Sequence, residues 1–269
     1  MRSEKQIAVI KYGGSLMHQP ISQQIFARDV LWMQENGILP LIVHGGGKLL
    51  SHWMKKMGKE PVFIEGFRYS DLETTELSEM VLSGITSGKI VRILTENGIL
   101  AVGLSGKDAA FLESEKMTSP LGKDLGFVGK VRHVKVEVMD ALLQQGFVPV
   151  VSSIASDDAG NTLNLNADTV AQAIAVAVKA RYLIFLTDVN KVLIDQQELS
   201  TVSQSELERL ITHPDVTGGM LPKLHACQEA LRGGVSQVEI VHGSLDHVVK
   251  MALGDTPIGT RFYTEGDHD

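Results

Sequence analysis

The stretch IAVIKYGGS, residues 7–15, is an apolar run that ends in a lysine, a tyrosine and two glycines. An apolar run of this length, without polar alternation, is typical of a strand buried on both faces of a parallel sheet. Similar runs recur along the chain, at residues 39–44, 100–104, 148–154, 182–187 and 238–242. The sequence therefore predicts a sheet of at least six strands with both faces covered.

Helical patterns lie between these runs, because apolar residues recur there at spacings of three, four or one. Three stripes carry the pattern: Ile21, Ile25, Phe26, Val30 and Met33; Val134, Val138 and Leu142; Val170, Ile174 and Val178. Strands that alternate with helices indicate βα crossovers. We therefore predict an α/β fold, a three-layer α/β/α sandwich around a largely parallel central sheet. The polar stretch 195–214 is expected to be a surface excursion.

The composition is that of a folded, acidic protein. The 269 residues are 43% hydrophobic, and 25 Lys and Arg against 32 Asp and Glu give a net charge of −7. This charge disfavours nucleic acid or an anionic membrane as a partner. The single cysteine, Cys227, excludes an intramolecular disulfide and a multi-cysteine zinc site, and favours a cytoplasmic location. We read no targeting segment or membrane span, and we expect residues 265–269 to be a frayed acidic tail.

Glycines gather where the predicted strands end, at 13–14, 45–47, 103 and 106. In open α/β sheets the ligand crevice lies outside the carboxyl ends of the strands, so these glycines mark a candidate binding edge. Two familiar phosphate motifs are absent. Residues 84–90 are one residue short of a Walker A loop and lack its hydroxyl, and residues 45–51 do not complete G-x-G-x-x-G.

Charged residues at the same ends point to a small anion. Lys11 at a buried strand end is unfavourable unless it meets an anion, although a lysine that snorkels to the surface is the alternative. Lys223, in the first turn of a predicted helix, opposes the helix dipole unless an anion is near. The segment NLNAD, residues 164–168, precedes another helix, and capping explains one of its polar residues but not three. Glycine-lined helix starts would supply N–H donors to the same anion.

Seven motifs resemble, in order and spacing, those of the N-acetylglutamate kinases of the amino acid kinase family. They are KYGG at 11–14, HGGG at 44–47, GFR at 66–68, GLSGKD at 103–108, NLNAD at 164–168, LTDV at 186–189 and GGMLPK at 218–223. The match runs from about residue 7 to Thr260. It implies one kinase domain over residues 1–269, with an acetylamino-acid-binding lobe at about 1–160 and an ATP-binding lobe at about 161–269.

The resemblance implies catalytic roles for four residues. Lys11 and Lys223 would flank the transferring phosphoryl group, and Asp168 would hold both lysines in place. The backbone of Gly14 would donate to the phosphoryl oxygens.

The resemblance also implies two sets of binding residues. The substrate would be held by backbone N–H groups of Gly46 and Gly47 and by the side chains of Arg68 and Asn164, arginine being suited to a carboxylate. The nucleotide would lie against two stretches, with the residues Asp188, Val189, Asn190, Lys191, Val192, Leu193, Asp215, Val216 and Thr217. At Lys191 the chain departs from the family, where glycine is usual.

The activity implied is transfer of phosphate from ATP, with Mg²⁺ carried by the nucleotide and no protein metal site, to the side-chain carboxylate of N-acetyl-L-glutamate in arginine biosynthesis. Such a carboxylate, with a pKa of about 4.3, is already ionised at pH 7 and needs no general base. His44 is accordingly expected to support the strand end. Two alternatives stay open: a kinase for a carrier-linked or acetylated aminoadipate or glutamate, and a ligand sensor that retains the fold.

The expected assembly is a homodimer. Arginine-inhibited members of the family carry an extra N-terminal helix that interlaces dimers into a hexamer, and only six residues precede the first predicted strand here. We therefore expect a homodimer that arginine does not inhibit.

Overall fold

The structure is a computed structural model that describes residues 6–13 and 20–264. Its helices are α1 (Pro20–Glu35), α2 (Gly47–Lys56), α3 (Leu72–Glu79), α4 (Ser87–Glu96), α5 (Glu137–Gln144), α6 (Ala167–Ala177), α7 (Gln204–Leu210), α8 (Met220–Arg232) and α9 (Val248–Ala252). A π-helical segment (Met80–Thr86) joins α3 to α4, and a 3₁₀ turn lies at Asp108–Ala110. No helix of the described residues is both long enough and apolar enough to span a bilayer.

The strands are β1 (Gln6–Tyr12), β2 (Ile38–His44), β3 (Phe63–Ile64), β4 (Phe67–Arg68), β5 (Ala101–Ser105), β6 (Leu112–Thr118), β7 (Asp124–Val134), β8 (Val148–Ser152), β9 (Ile154–Ser156), β10 (Thr162–Leu165), β11 (Tyr182–Thr187), β12 (Val192–Ile194), β13 (Gln197–Leu199), β14 (Thr201–Ser203), β15 (Gln237–His242) and β16 (Thr260–Tyr263). Eight of them form the central sheet, in the order β14-β16-β15-β11-β1-β2-β8-β5.

The central sheet confirms the predicted fold class. The neighbours from β15 to β5 all pair in parallel, and only β16 runs antiparallel to β15. Alternate residues of β1 face opposite layers: Val9 packs in a core with α6 and α8, and Ile10 in a core with α1 and α4. Helices therefore cover both faces, which is why the strands are apolar throughout. The strand predicted at 148–154 is interrupted at Ser153, where the chain leaves the central sheet.

Two of the three predicted helical stripes need correction. Ile21 in α1 is 77% exposed, so it does not belong to the buried stripe. Val134 ends strand β7, and the buried positions of α5 are Met139 and Leu143. The stripe of α6 is confirmed, with Val170 and Ile174 fully buried. Ile21 lies in the first turn of α1, where spacing fixes the helix boundary poorly, and the eight residues of α5 form too few turns to fix the phase of its stripe.

The segment 195–214 is not simply a surface excursion. Its strand β14 pairs in parallel with β16 and extends the central sheet. Val202 in β14 and Leu207 in α7 are buried in the main core. A capping box begins α7, with Ser203 accepting from the Glu206 N–H and Glu206 accepting in return.

A second, smaller sheet was not anticipated from the sequence. Strands β10, β7, β6 and β9 close on one another as a small barrel. Strand β10 reaches the start of α6, and it carries Asn164 to the edge at which β1 and β2 end. The barrel thus supplies one wall of the candidate site.

Candidate active site

One carboxylate lies between two lysines at the carboxyl edge of the central sheet. Asp168, in the first turn of α6, has Oδ1 2.9 Å from Nζ of Lys11 and Oδ2 2.8 Å from Nζ of Lys223. Lys11 comes from the end of β1 and Lys223 from the first turn of α8. Their side chains are 15%, 11% and 8% exposed for Lys11, Asp168 and Lys223. The structure thus brings together three of the four residues predicted to be catalytic, and the fourth, Gly14, lies outside the described residues.

The two contacts to Asp168 differ in kind. Lys223 donates an aligned hydrogen bond to Oδ2, whereas Lys11 is close to Oδ1 without such alignment, and the buried Oδ1 has no hydrogen-bond partner among the described residues. We therefore interpret the Lys11 contact as an ion pair. An ammonium has three protons, so Lys11 can contact Asp168 and a further acceptor together, and it lines the adjoining cleft.

Burial and charge act against each other in this trio. Burial alone would raise the pKa of the Asp168 carboxyl, but the charges of Lys11 and Lys223 outweigh it and hold that pKa well below its usual range. Burial lowers the pKa of Lys11 most strongly; Asp168 raises it and Lys223 lowers it, and the net result is below 10.5. With both lysines protonated, the trio carries one net positive charge and can accept another anion.

The start of α6 is built by a local cap. The side chain of Asn166 accepts from the backbone N–H groups of Asp168 and Thr169 at 2.8 and 3.3 Å. This cap places Asp168 in the first turn, where the helix dipole favours a carboxylate. Asn166 is therefore the one residue of the NLNAD segment that capping explains.

A cleft of about 280 Å³ opens beside the trio. Its walls contain six predicted residues: Lys11, Gly46, Gly47, Arg68, Asn164 and Asp168. Helix α2 begins there with Gly46, which has no side chain to cap it, so among the described residues the N–H groups of its first turn lack a side-chain cap and can bind an anion. A Cβ on Gly46 would lie 2.7 Å from Leu82 Cδ2, so any other residue at this position would have to displace the Leu82 side chain.

Arg68 and Asn164 face this cleft from separate elements. Arg68, on β4, is half-buried, and its Nη2 donates to the Gly47 carbonyl at 3.0 Å and to Ser51 Oγ at 2.8 Å. Burial lowers the pKa of Arg68. Asn164, on β10, donates from Nδ2 to Ser70 Oγ at 3.2 Å. A cation and an amide thus border the same small cavity.

The predicted nucleotide stretches follow β11 and precede α8. Asp188 lies at the end of β11, 3.5 Å from Nζ of Lys48 in α2. Lys191 donates to Ser200 Oγ at 2.8 Å, so the lysine that replaces the usual glycine is engaged by the protein itself. Val192 is 1% exposed, and its N–H donates to Thr260 Oγ1.

Val192 and Val216 both belong to the main hydrophobic core. Their side chains therefore pack in the core, and a nucleotide contact at these two positions stays a prediction for the backbone. Asp215 accepts from the N–H of Asp195 at 2.8 Å and so ties together the two ends of the intervening segment. The exposed Leu193 lies in the β12–β13 hairpin.

His44 lies at the end of β2, directly before the glycine loop. It is fully buried, and its Nδ1 is 3.0 Å from the carbonyl oxygen of Gly45. Burial lowers the pKa of His44 to about 4, so the ring is neutral at pH 7. A neutral ring whose Nδ1–H donates to Gly45 fits the supporting role predicted for it.

Two polar groups near the site had no predicted role. Ser70, two residues after Arg68, contacts Asn164. Lys107 of the GLSGKD motif donates to Glu79 at 2.7 Å and to Thr162 at 3.1 Å, so it binds protein groups. Within residues 6–13 and 20–264, no three His, Cys, Asp or Glu side chains are grouped to hold a metal ion.

Comparison with known proteins gives concordant matches. The model of the amino acid kinase family matches residues 6–242. A relative named acetylglutamate kinase, from Syntrophus aciditrophicus (strain SB), is 43% identical, with 94% of this chain and 89% of the relative covered. Another of that name, from Caldanaerobacter subterraneus subsp. tengcongensis, is 42% identical over 94% and 85%. The solved structure of smu.665 from Streptococcus mutans UA159 has a TM-score of 0.81 and 26% identity, and covers 97% of this chain and 99% of its own.

Proposed function

The chain belongs to the amino acid kinase family, and on that premise we propose that it is the kinase that phosphorylates N-acetyl-L-glutamate with ATP. The acceptor is the side-chain carboxylate, the product is N-acetylglutamyl phosphate, and the reaction belongs to arginine biosynthesis. The observation that carries the proposal is the Lys11–Asp168–Lys223 trio beside a cleft of small-molecule size.

Two anions must meet for this reaction. The acceptor carboxylate is ionised at pH 7, and the γ-phosphoryl group that it attacks is also negative. The barrier is therefore one of positioning and charge neutralisation, not of proton removal. Lys11 and Lys223 supply the positive charge, and Asp168 fixes where that charge lies by holding one ammonium on each oxygen.

The cleft residues orient the acceptor. Arg68 offers a cation to the carboxylate that does not react, and Asn164 offers an amide beside it. The N–H groups at the start of α2, around Gly46 and Gly47, bind oxygens of the substrate. Gly14 is proposed to donate a backbone N–H to the phosphoryl oxygens.

The nucleotide is proposed to lie on the other side of the trio, against the residues that follow β11 and precede α8. Asp188 and the backbone from Val189 to Leu193 are its expected neighbours, together with residues 215–217. Mg²⁺ carried on the phosphates would neutralise part of their charge. The acetylamino-acid lobe (about 1–160) and the ATP lobe (about 161–269) then meet at the trio.

We further propose a cytoplasmic homodimer. Strand β5 is an edge of the central sheet, and the exposed Leu100 precedes it. Met80 is also exposed, and Gly84 and Gly88 leave open space beside them. An unpaired sheet edge and exposed apolar side chains support self-association. A monomer in sedimentation velocity at micromolar concentration would contradict it.

The function is tested by ADP release with N-acetylglutamate, glutamate, aspartate and N-acetylaminoadipate side by side. Hydroxylamine, which traps an acyl phosphate as the hydroxamate, identifies the product. We expect a clear preference for N-acetylglutamate and a hydroxamate that depends on ATP. A preference for N-acetylaminoadipate would favour the alternative substrate, and absence of turnover with all four would favour a sensor.

The charge-neutralising role has its own test. Lys11→Ala and Lys223→Ala should each lower kcat by about 100-fold or more, the size of effect that one preorganised donor has at an oxyanion. Turnover within a few-fold of wild type in either variant would show that its ammonium does not stabilise the transition state.

A further inference from the structure

Arg68 and Asn164, which we propose to hold the non-reacting carboxylate, come from unrelated parts of the chain. Arg68 lies on β4, in a hairpin whose strands are only two residues each, whereas Asn164 lies on β10 of the small barrel. A carboxylate can be held by both only if their relative position is fixed. Some group of the protein must therefore contact both Arg68 and Asn164.

Ser70 makes that connection. Its hydroxyl is 3.1 Å from the backbone carbonyl of Arg68 and 3.2 Å from Nδ2 of Asn164. Ser70 itself is fully buried and does not line the cleft. It can therefore act on a bound substrate only through its neighbours.

The chemistry of these groups settles who donates. A carbonyl oxygen only accepts, so the single hydroxyl proton of Ser70 goes to the Arg68 carbonyl. The hydroxyl oxygen must then accept from Asn164, which directs Nδ2 and not Oδ1 toward Ser70. The orientation of the Asn164 amide is thereby set. Its second N–H proton and its carbonyl oxygen are the groups left for a ligand.

The backbone of Ser70 is fixed against β7. Its N–H donates to the Leu125 carbonyl at 3.1 Å, and its carbonyl accepts from the Phe127 N–H at 2.6 Å. Between them Gly126 has a φ of +71°, and a Cβ there would clash with the Ser70 carbonyl oxygen. The hydroxyl therefore projects from a firmly held segment of chain.

We propose that Ser70 is a positioning residue, which holds the Asn164 amide in one orientation relative to Arg68 so that both bind the substrate carboxylate. This inference rests on the proposed function and adds a specificity determinant to it. Without the hydroxyl, the Arg68 carbonyl and the Asn164 amide each lose a partner, and the amide can turn its oxygen toward the anion.

The test is a kinetic comparison of Ser70→Ala with wild type. We expect the KM for N-acetylglutamate to rise about tenfold, the effect of about one lost hydrogen bond, while kcat and the KM for ATP stay within twofold. Ser70→Thr keeps the hydroxyl and should stay within threefold of wild type. The matched control is Ser78→Ala, which removes an equally buried hydroxyl that donates to the Thr74 carbonyl at 2.7 Å; its KM should not change.

A double variant separates positioning from general structural damage. If Ser70 acts through Asn164, Ser70→Ala should have no further effect on KM in an Asn164→Ala background. An undiminished tenfold effect there, an unchanged KM in Ser70→Ala alone, or a Ser70→Thr variant as poor as alanine would overturn the inference. Wild-type protein without any turnover of N-acetylglutamate would instead overturn the proposed function, and the role of Ser70 with it.

Discussion

Replacing Asp168 with asparagine should lower both the stability of the fold and the rate of phosphoryl transfer. The substitution keeps the size of the side chain and removes the one negative charge that two lysines share at 2.9 and 2.8 Å. Lys11 and Lys223 would then lie near each other as buried like charges. Neither has another described acidic partner within 4.0 Å.

The stability loss follows from the burial of the trio. Removing one partner of a buried ion pair typically costs about 3–5 kcal/mol, because the remaining charge stays desolvated. We expect about 3 kcal/mol here, since one lysine can relieve the repulsion by losing its proton. At about 2–4 °C per kcal/mol for chains of 150–250 residues, the melting temperature should fall by roughly 6–12 °C.

The pH dependence of this loss has a definite sign. In the variant, Lys11 lacks the carboxylate that raises its pKa, so burial makes it lose its proton more easily in the folded state than in the unfolded state, where the pKa is near 10.4. The unfolded state then binds more protons, so the variant gains stability as pH rises. Its deficit relative to wild type should therefore shrink as the pH rises toward the pKa of an unfolded lysine, near 10.4.

The rate is measured at a temperature well below both melting transitions, by ADP release at saturating ATP and N-acetylglutamate. We expect kcat to fall by about 100-fold, since the two ammonium groups lose the carboxylate that holds them in position. The matched control is Asp29→Asn. Asp29 is a fully buried carboxylate that pairs with His247 at 2.9 Å and accepts from the Val249 N–H at 3.0 Å, remote from the trio.

Asp29→Asn should lower the melting temperature but leave kcat within about threefold. An Asp168→Asn variant that melts within 2 °C of wild type and keeps kcat within threefold would refute the reasoning. So would equal losses of kcat in the two variants, because stability alone would then explain both.

Three further substitutions test other parts of the site. Because the pKa of Lys11 lies below 10.5, kcat/KM should decrease at alkaline pH, and the decrease should begin below that value. Lys11→Arg should move this decrease to higher pH. If the decrease does not move, it belongs to another group. The pKa of His44 is about 4 in the folded state against 6.5 in the unfolded state, so the unfolded state binds more protons between those values. Lowering the pH from 7 to 4.5 should therefore reduce the free energy of unfolding of wild type by about 2 kcal/mol more than that of His44→Gln, as measured by urea titration. Equal losses would contradict the assignment. Gly46→Ala places a Cβ 2.7 Å from Leu82 and should raise the KM for N-acetylglutamate about tenfold, whereas Gly88→Ala, which meets nothing within 4 Å, should leave it unchanged.

The central sheet could be predicted because its strands carry their own signal. A run such as residues 182–187 is apolar on both faces, and only a strand covered on both sides can bury it. The N-cap role of Asn166 is equally easy to predict, since an asparagine before an apolar helix is a common N-cap. The small barrel could not be predicted, because strands such as β6, residues 112–118, contain charged residues and so lack a continuous apolar run.

The individual residues of the candidate site could be predicted only through the motifs. Nothing local in the sequence relates Ser70 to Asn164, and Val192 lies in a motif stretch although its side chain packs in the core. The contact of Lys191 could not be predicted either, because its partner Ser200 lies directly after the following hairpin. Side-chain direction depends on neighbours that local spacing does not encode.

The sequence by itself determined the class of the fold and the edge of the sheet at which the candidate site lies. Apolar runs must be covered on both faces, and parallel strands end at a common edge, so the lysine and glycines at those ends had to gather there. The tertiary structure gave the distances at which Lys11 and Lys223 share the carboxylate of Asp168, a contact that the resemblance had implied, and it alone showed that Ser70 joins Arg68 to Asn164. These contacts join distant segments, and they exist because the sheet, two helix starts and the barrel pack around one edge.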